Sequence, residues 1–181
     1  MSPKFRVYIA VSEDGFIADK DGSVGWLDPY ADGDFGFADF FAEIHTVVMG
    51  RTSFDQVRTF GDWPYKGKRS VVLTRRAATA PEGEDVVFVN ADARAVAKRA
   101  RQGVIEAASA GDIWVMGGAD VIRQFMDCGC VDIFEIFVIP VRLGRGISLF
   151  ADGEAGPGLP LAGERKYGGG VVGRVYRGRG R

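Results

Sequence analysis

Strands and helices that alternate along the chain and close in an antiparallel pair predict a three-layer α/β/α sandwich. Its central sheet should be mostly parallel, with an antiparallel C-terminal edge hairpin. Three observations carry the expectation. Short apolar, β-branched runs recur at 5–11, 46–49, 70–74, 86–89, 113–116 and 133–139, the pattern of strands covered on both faces. Between them lie apolar residues at helical spacing, as in Phe37, Phe40, Phe41 and Ile44 or Val121, Ile122, Phe125 and Met126. Near the end, strand-like segments at 165–167 and 171–176 flank Gly168-Gly169-Gly170, a hairpin signal.

The elements follow in order. After the first strand, Ser12-Glu-Asp-Gly15 reads as a turn, and Phe16-Ile17-Ala18 as a short apolar return. Ile17, set between turn-rich segments, either plugs the core or lines a cleft, and the residues alone favour the plug. A polar loop ends at Trp26, and the helix carrying Phe37 and Ile44 takes Asp32 or Asp34 as its cap. The strand at 46–49 runs into Gly50-Arg51-Thr52-Ser53, where Ser53 with Gln56, or Thr52 with Asp55, resembles a capping box. The strand at 70–74 ends in Arg75-Arg76. A helix spans 92–109, with Gly103 as a point of breakage or kinking. Ile113 to Met116 turns on Gly117-Gly118 straight into another helix. Pro140 stops the strand at 133–139, a glycine-rich loop covers 143–150, and 151–164 reads as loop. Residues 177–181 form a short basic tail expected to fray.

Composition bounds the function. With 181 residues, 46% hydrophobic, the chain suits one compact domain over 1–181. A net charge of −1, from 23 basic and 24 acidic residues, supplies no field for nucleic acid or an acidic membrane. No signal-type apolar segment follows Met1, and no run is long enough to span a bilayer, so a cytoplasmic protein is expected. Cys128 and Cys130 are the only cysteines; two positions apart, they favour neither an unstrained disulfide nor a structural zinc site. His45 is the sole histidine, which excludes histidine-pair catalysis and multi-histidine metal sites; no metal is expected.

Three features fall at strand C-terminal ends, where ligands bind in open α/β sheets. Gly117-Gly118-Ala119 leaves backbone N–H groups free at a helix start, with no Cβ to keep an anion away. Gly50-Arg51-Thr52-Ser53 adds a guanidinium and two hydroxyls, donors suited to a phosphate. Thr74-Arg75-Arg76 adds positive charge. Each has a plain alternative as a tight turn, a capped helix or solvated charge, yet one shared ligand accounts for all three.

The residues resemble the dihydrofolate reductase superfamily, and within it the reductase domain of bacterial riboflavin-biosynthesis deaminase–reductases. The resemblance covers nearly the whole chain. Its signposts are the segments 12–18, SEDGFIA; 47–54, VVMGRTSF; 71–75, VVLTR; 113–119, IWVMGGA; and 139–146, IPVRLGRG.

The resemblance implies an NADPH-dependent, dihydrofolate-reductase-like oxidoreductase. Met116, Gly117, Gly118, Ala119, Asp120 and Val121 match the family's pyrophosphate site, whose Gly-Gly peptide is typically cis. Gly50, Arg51, Thr52 and Ser53 match a second phosphate-binding helix start. Leu73, Thr74 and Arg75 match the segment that holds the adenosine and its 2′-phosphate. Ala10 and Ile17 match residues flanking the nicotinamide, and Trp26 the tryptophan closing the loop beside it. On the substrate side the matches are Trp26, Asp34 and Phe37, with Asp34 the candidate proton donor. The substrate so implied is a small heterocycle, of the 5-amino-6-(5-phosphoribosylamino)uracil type. The alternatives are a dihydrofolate or pterin reductase proper, and a nucleotide-binding homologue without turnover. The pattern departs from the family in two places. No Pro-Trp precedes the helix after Trp26, and the segment 54–60, FDQVRTF, lacks the Asp-Pro of the riboflavin branch. A homodimer is expected by family analogy.

Overall fold

A computed structural model describes residues 2–107, 110–150 and 154–178. The strands are β1 (Phe5–Ser12), β2 (Phe16–Ala18), β3 (Ile44–Gly50), β4 (Arg69–Leu73), β5 (Val86–Val89), β6 (Asp112–Gly117), β7 (Ile133–Ile139), β8 (Ile147–Ser148), β9 (Leu161–Lys166) and β10 (Val172–Arg177). The helices are α1 (Phe37–Ala42), α2 (Arg51–Val57), α3 (Ala93–Glu106) and α4 (Ala119–Asp127). An eight-stranded sheet runs β5-β4-β3-β6-β1-β7-β10-β9, and β2 pairs with β8 beside it. The first six strands of that order are parallel; β7, β10 and β9 pair antiparallel through the Gly168–Gly170 turn. The anticipated α/β fold, parallel sheet and terminal hairpin are therefore present.

Alternation along β1 organises the layers, because successive side chains of a strand point to opposite faces. Phe5, Val7 and Val11 join Val104, Ile122 and Phe125 in the core under α3 and α4. Arg6, Tyr8 and Ala10 face the other way. There Phe40, Phe54, Val57, Trp63 and Trp114 form a second core under α1 and α2, with Tyr8 packed against it. Farther along that face, Phe137, Ile139 and Val171 pack with Tyr8, Ala10, Trp26, Tyr30, Phe35 and Tyr167. Phe5, Phe54 and Phe125 are fully buried, each worth about 1.5–3 kcal/mol of transfer free energy.

Arg6 lies on the sheet with its side chain only 10% exposed. Its guanidinium bonds Glu135 (2.8–3.0 Å), meets Glu43 and Asp112, and lies 4.7 Å from the centre of the Phe40 ring. Burial alone would favour the neutral form of Arg6, but the bonds and charges of Glu43 and Glu135 outweigh it and raise its pKa. Burial likewise raises the pKa of Glu135, against the pull of Arg6.

Several local expectations are corrected. The first helix begins at Phe37, with Gly36 as N-cap at φ 82°, and neither Asp32 nor Asp34 caps it. Asp34 instead accepts the Gly36 N–H (2.9 Å), closing a turn of its own. That helix ends at Ala42, and Ile44 begins β3 rather than completing the stripe. No side chain caps α2; Arg51 pairs with Asp55 one turn on (2.8 Å), which takes up the acid that a capping box would need. Gly103 neither breaks nor kinks α3, whose last turn closes with the Ala107 N–H on the Gly103 carbonyl (3.0 Å). The acceptor at its start is Asp92, on the Ala95 N–H (2.9 Å). Strand β9 starts at Leu161, inside the segment read as loop, and Arg177 belongs to β10 rather than a frayed end. The expected helix end at 108–109, the loop at 151–153 and the tail at 179–181 lie outside the described residues.

Candidate active site

The sheet opens at its centre. Strand β1 pairs with β7 at seven positions, from Arg6↔Ile133 to Ser12↔Ile139, whereas its pairing with β6 covers only Phe5↔Ile113 and Arg6↔Trp114. On its other side β6 stays paired with β3 as far as Met49↔Gly117. The C-terminal halves of β1 and β6 thus part, leaving a crevice between Ala10 and Met116. The chain reverses its direction of travel across the sheet here, the switch point at which α/β folds bind ligands.

Two helix starts meet at the head of this crevice. The Gly117–Gly118 peptide is cis, as the resemblance implies, and Gly117 has φ 136°, a backbone that side chains disfavour. Gly118 is the N-cap of α4 with ordinary φ, so its lack of a side chain concerns space. A Cβ there would lie 3.3 Å from Ser53 Oγ, and one on Gly50 would lie 3.1 Å from Val121. Gly50, Ser53, Gly118 and Val121 thereby define a narrow cradle, lined by the first-turn N–H groups of α4. Asp120 faces solvent and pairs with Arg123 (3.3 Å), while Ala119 and Val121 are buried.

Arg51 is more committed than a free phosphate donor would be. Besides Asp55 it bonds the Ala77 carbonyl (2.9 Å), tying α2 to the loop after β4. That tether sets the cradle relative to the third anchor. Leu73 is half-buried in the core, and Thr74 Oγ1 accepts the Arg76 N–H (3.0 Å), shaping the turn. Arg75 and Arg76 are exposed, and neither meets a carboxylate among the described residues. Thr52 is exposed at the mouth of α2.

Aromatic groups wall the opposite side. Trp26, in a 3-10 turn over Gly25–Tyr30, has a buried indole N–H without a partner. Phe37 is 44% exposed, with Tyr8 at 5.6 Å and Trp114 at 5.8 Å between ring centres. Tyr8 donates to the Phe35 carbonyl (3.0 Å) and stacks on Phe40 (4.4 Å). Burial pushes its phenol pKa well above normal, so it stays neutral. Asp34 is exposed and uses one oxygen on Gly36, leaving the other free. Ile17 is partly buried and packs on the core under α3 and α4.

Sequence reading passed over Tyr8, Tyr30, Phe35 and Tyr167. Only Tyr8 had a signal, its alternation with Arg6 and Ala10 on β1. It also passed over the latch that holds the Ile17 segment. Asp14 accepts from Ser12 Oγ (2.7 Å) and from the N–H groups of Leu143 (3.1 Å) and Gly144 (2.8 Å), pinning the β1–β2 turn to the β7–β8 loop. Partial burial opposes its ionisation, but these bonds prevail and lower its pKa. From the other side, the Gln56 amide donates to the Gly22 carbonyl (3.1 Å).

Comparison with known proteins agrees with this fold. The family model described as "RibD C-terminal domain" matches residues 3–172. Protein YwjB of Bacillus subtilis is 38% identical over 170 residues, covering 93% of this chain and 94% of the relative. The dihydrofolate reductase HdrB of Haloferax volcanii is 29% identical over 66% of this chain and 58% of its own. Among solved structures, a riboflavin biosynthesis protein (described as putative) from Shewanella sp. PV-4 superposes with a TM-score of 0.80 at 27% identity, covering 99% of this chain and all of the other. Dihydrofolate reductase from Enterococcus faecalis, complexed with NADP(H), shares the fold at a TM-score of 0.68 and 18% identity, covering 98% and 97%. The chain belongs to the RibD C-terminal domain family, reductase-type proteins built on the dihydrofolate-reductase-like fold.

Proposed function

We propose that the chain is an NADPH-dependent reductase that delivers a hydride to a small, flat heterocycle of the riboflavin-pathway type. The observation that carries this reading is the cradle formed by Gly50, Ser53, Gly118 and Val121 at the head of the β1–β6 crevice. A side chain at Gly118 would enter it, 3.3 Å from Ser53 Oγ. Two helix starts with glycines at their mouths suit a pyrophosphate, and the relative in fold from Enterococcus faecalis is complexed with NADP(H).

When bound, reduced nicotinamide supplies the hydride. This chain's residues bind and orient. Met116 to Val121 and Gly50 to Ser53 hold the phosphates, Leu73, Thr74 and Arg75 the adenosine and its 2′-phosphate. Ala10 and Ile17 flank the nicotinamide ring, and Trp26 closes the loop beside it. Trp26 and Phe37 face the substrate, and the aromatic wall excludes water. Asp34, with one carboxylate oxygen free, delivers the proton, directly or through a water. A homodimer remains part of this reading by family analogy, as does a cytoplasmic setting.

Stopped-flow oxidation of NADPH with aminopyrimidine ribose phosphates and dihydropterins tests it. Turnover with the former and not the latter is expected, and no turnover with either would sink the named substrates. Methotrexate affinity that vanishes in Asp34→Asn would instead make the protein a pterin reductase. NADPH binding without oxidation across the panel would leave a nucleotide-binding homologue. Arg75→Ala should narrow the preference for NADPH over NADH by about tenfold or more, the worth of one charge-assisted contact. An unchanged ratio of dissociation constants would remove Arg75 from the 2′-phosphate site.

A further inference from the structure

The two cysteines occupy a place the reductase chemistry does not use. Helix α4 ends at Asp127 with Cys128 as its C-cap, and Gly129 follows at φ 64°. The Gly129 N–H bonds the Met126 carbonyl (2.8 Å) and the Cys130 N–H the Phe125 carbonyl (2.9 Å). This pair of bonds around a left-handed glycine is a Schellman closure. It turns the chain back so that Cys128 and Cys130 lie on the same side. The sulfurs of Cys128 and Cys130 lie in direct contact. Backbone hydrogen bonds, rather than a chance rotamer, bring the two sulfurs together.

The thiols line a cavity of about 340 Å³ between α3 and the end of α4, shared with Arg94, Lys98, Arg101 and Asp132. Asp132 answers Arg101 (3.4 Å) and accepts the Phe5 N–H (2.7 Å), while Arg94 reaches the Cys128 carbonyl (3.5 Å). Lys98 meets no carboxylate within ion-pair distance among the described residues. The cavity carries an excess of positive charge beside a dithiol.

We propose that this cavity is a thiol–disulfide exchange site for small anionic disulfides of the glutathione class, and that exchange closes a reversible Cys128–Cys130 disulfide. Burial, with the neighbouring Cys128, pushes the Cys130 thiol up to about 11, so it is protonated at neutral pH. Arg94, bonded to the Cys128 carbonyl, sets a cation beside Cys128, which takes the attacking role in this proposal. It loses its proton, attacks one sulfur of the bound disulfide, breaks that S–S bond and releases the first thiolate, which takes up a proton. Cys130, giving up its proton, then attacks the Cys128 sulfur of the mixed disulfide and expels the second thiol. The two cysteines lose two electrons in all, and the small disulfide becomes two thiols.

The test exposes the full-length chain to oxidised glutathione, traps free thiols by alkylation, and weighs the intact protein without reductant. The wild type should lose two hydrogens and both alkylatable thiols, and dithiothreitol should restore them. Cys130→Ser should stop at one bound glutathione, and Cys128→Ser should react about tenfold slower or less readily still. Arg94→Gln with Lys98→Gln should slow oxidation by glutathione about tenfold, yet leave oxidation by uncharged hydroxyethyl disulfide unchanged. Two alkylatable thiols persisting under excess oxidised glutathione would overturn the proposal, as would a wild-type mixed disulfide that never resolves. An equal slowing with both oxidants would overturn the anionic recognition.

Discussion

Single residues decide whether the crevice can take a cofactor. At Gly118 φ is ordinary, and the constraint is space: a Cβ would lie 3.3 Å from Ser53 Oγ, close enough that the hydroxyl must give way by a few tenths of an ångström. Gly118→Ala should therefore weaken NADPH binding tenfold or more, about 1.4 kcal/mol, with little change in melting temperature. Fluorescence titration beside a thermal scan checks both; an equal loss of stability would make the glycine a folding requirement. Gly117 differs, because at φ 136° the backbone itself demands glycine. The motif Gly117-Gly118 was legible in the sequence, but which glycine answers to backbone and which to space was not. Asp34 shows the same limit. Its position before an aromatic stripe fits both a cap and a catalytic acid, and only in the folded chain does it bond Gly36 and leave α1 without a side-chain cap.

At the scale of elements, two connections organise the site without touching a ligand. Asp14 clamps the β1–β2 turn to the 143–144 segment through three hydrogen bonds. Asp14→Ala should speed amide exchange at Leu143 and Gly144 and raise the NADPH dissociation constant several-fold, while the core stays protected. Unchanged exchange there would show that the latch holds nothing. On β1, Arg6 neutralises acids brought from the end of α1, from β6 and from β7. Arg6→Ala leaves Glu135 buried without its cation and should cost about 3 kcal/mol, the low end for a broken buried pair because Glu43 is largely exposed. Urea unfolding measures it, and Glu135→Gln in the same background should recover part of the loss. Neither network has a local signature, since its members lie up to 130 positions apart.

For the whole molecule, pH acts through the sole histidine. Burial, then the nearby charges of Arg69 and Lys68, lower the His45 pKa below its ordinary 6.5. Below pH 6.5 the unfolded chain gains a proton that the folded chain resists. Stability is thus fully present above pH 6.5 and is lost as pH falls through the folded pKa. Between pH 7.5 and 5.5 the melting temperature of the wild type should fall more than that of His45→Gln. Parallel curves would show that His45 does not feel the fold. Asp14, also lowered, acts in the same direction but at and below its ordinary 3.8, outside this window.

The amino-acid sequence by itself determined the alternation of elements, the parallel sheet, the terminal hairpin and the glycine turns at strand ends. These rest on periodicity and on backbone demands that each residue meets locally. Only the tertiary structure decided that β1 and β6 part after Arg6↔Trp114, that the starts of α2 and α4 abut, and that Tyr8, Phe35 and Tyr167 join one wall. Each of these depends on how distant segments pack against one sheet, and no short stretch of sequence encodes a distance between segments folded together from opposite ends of the chain.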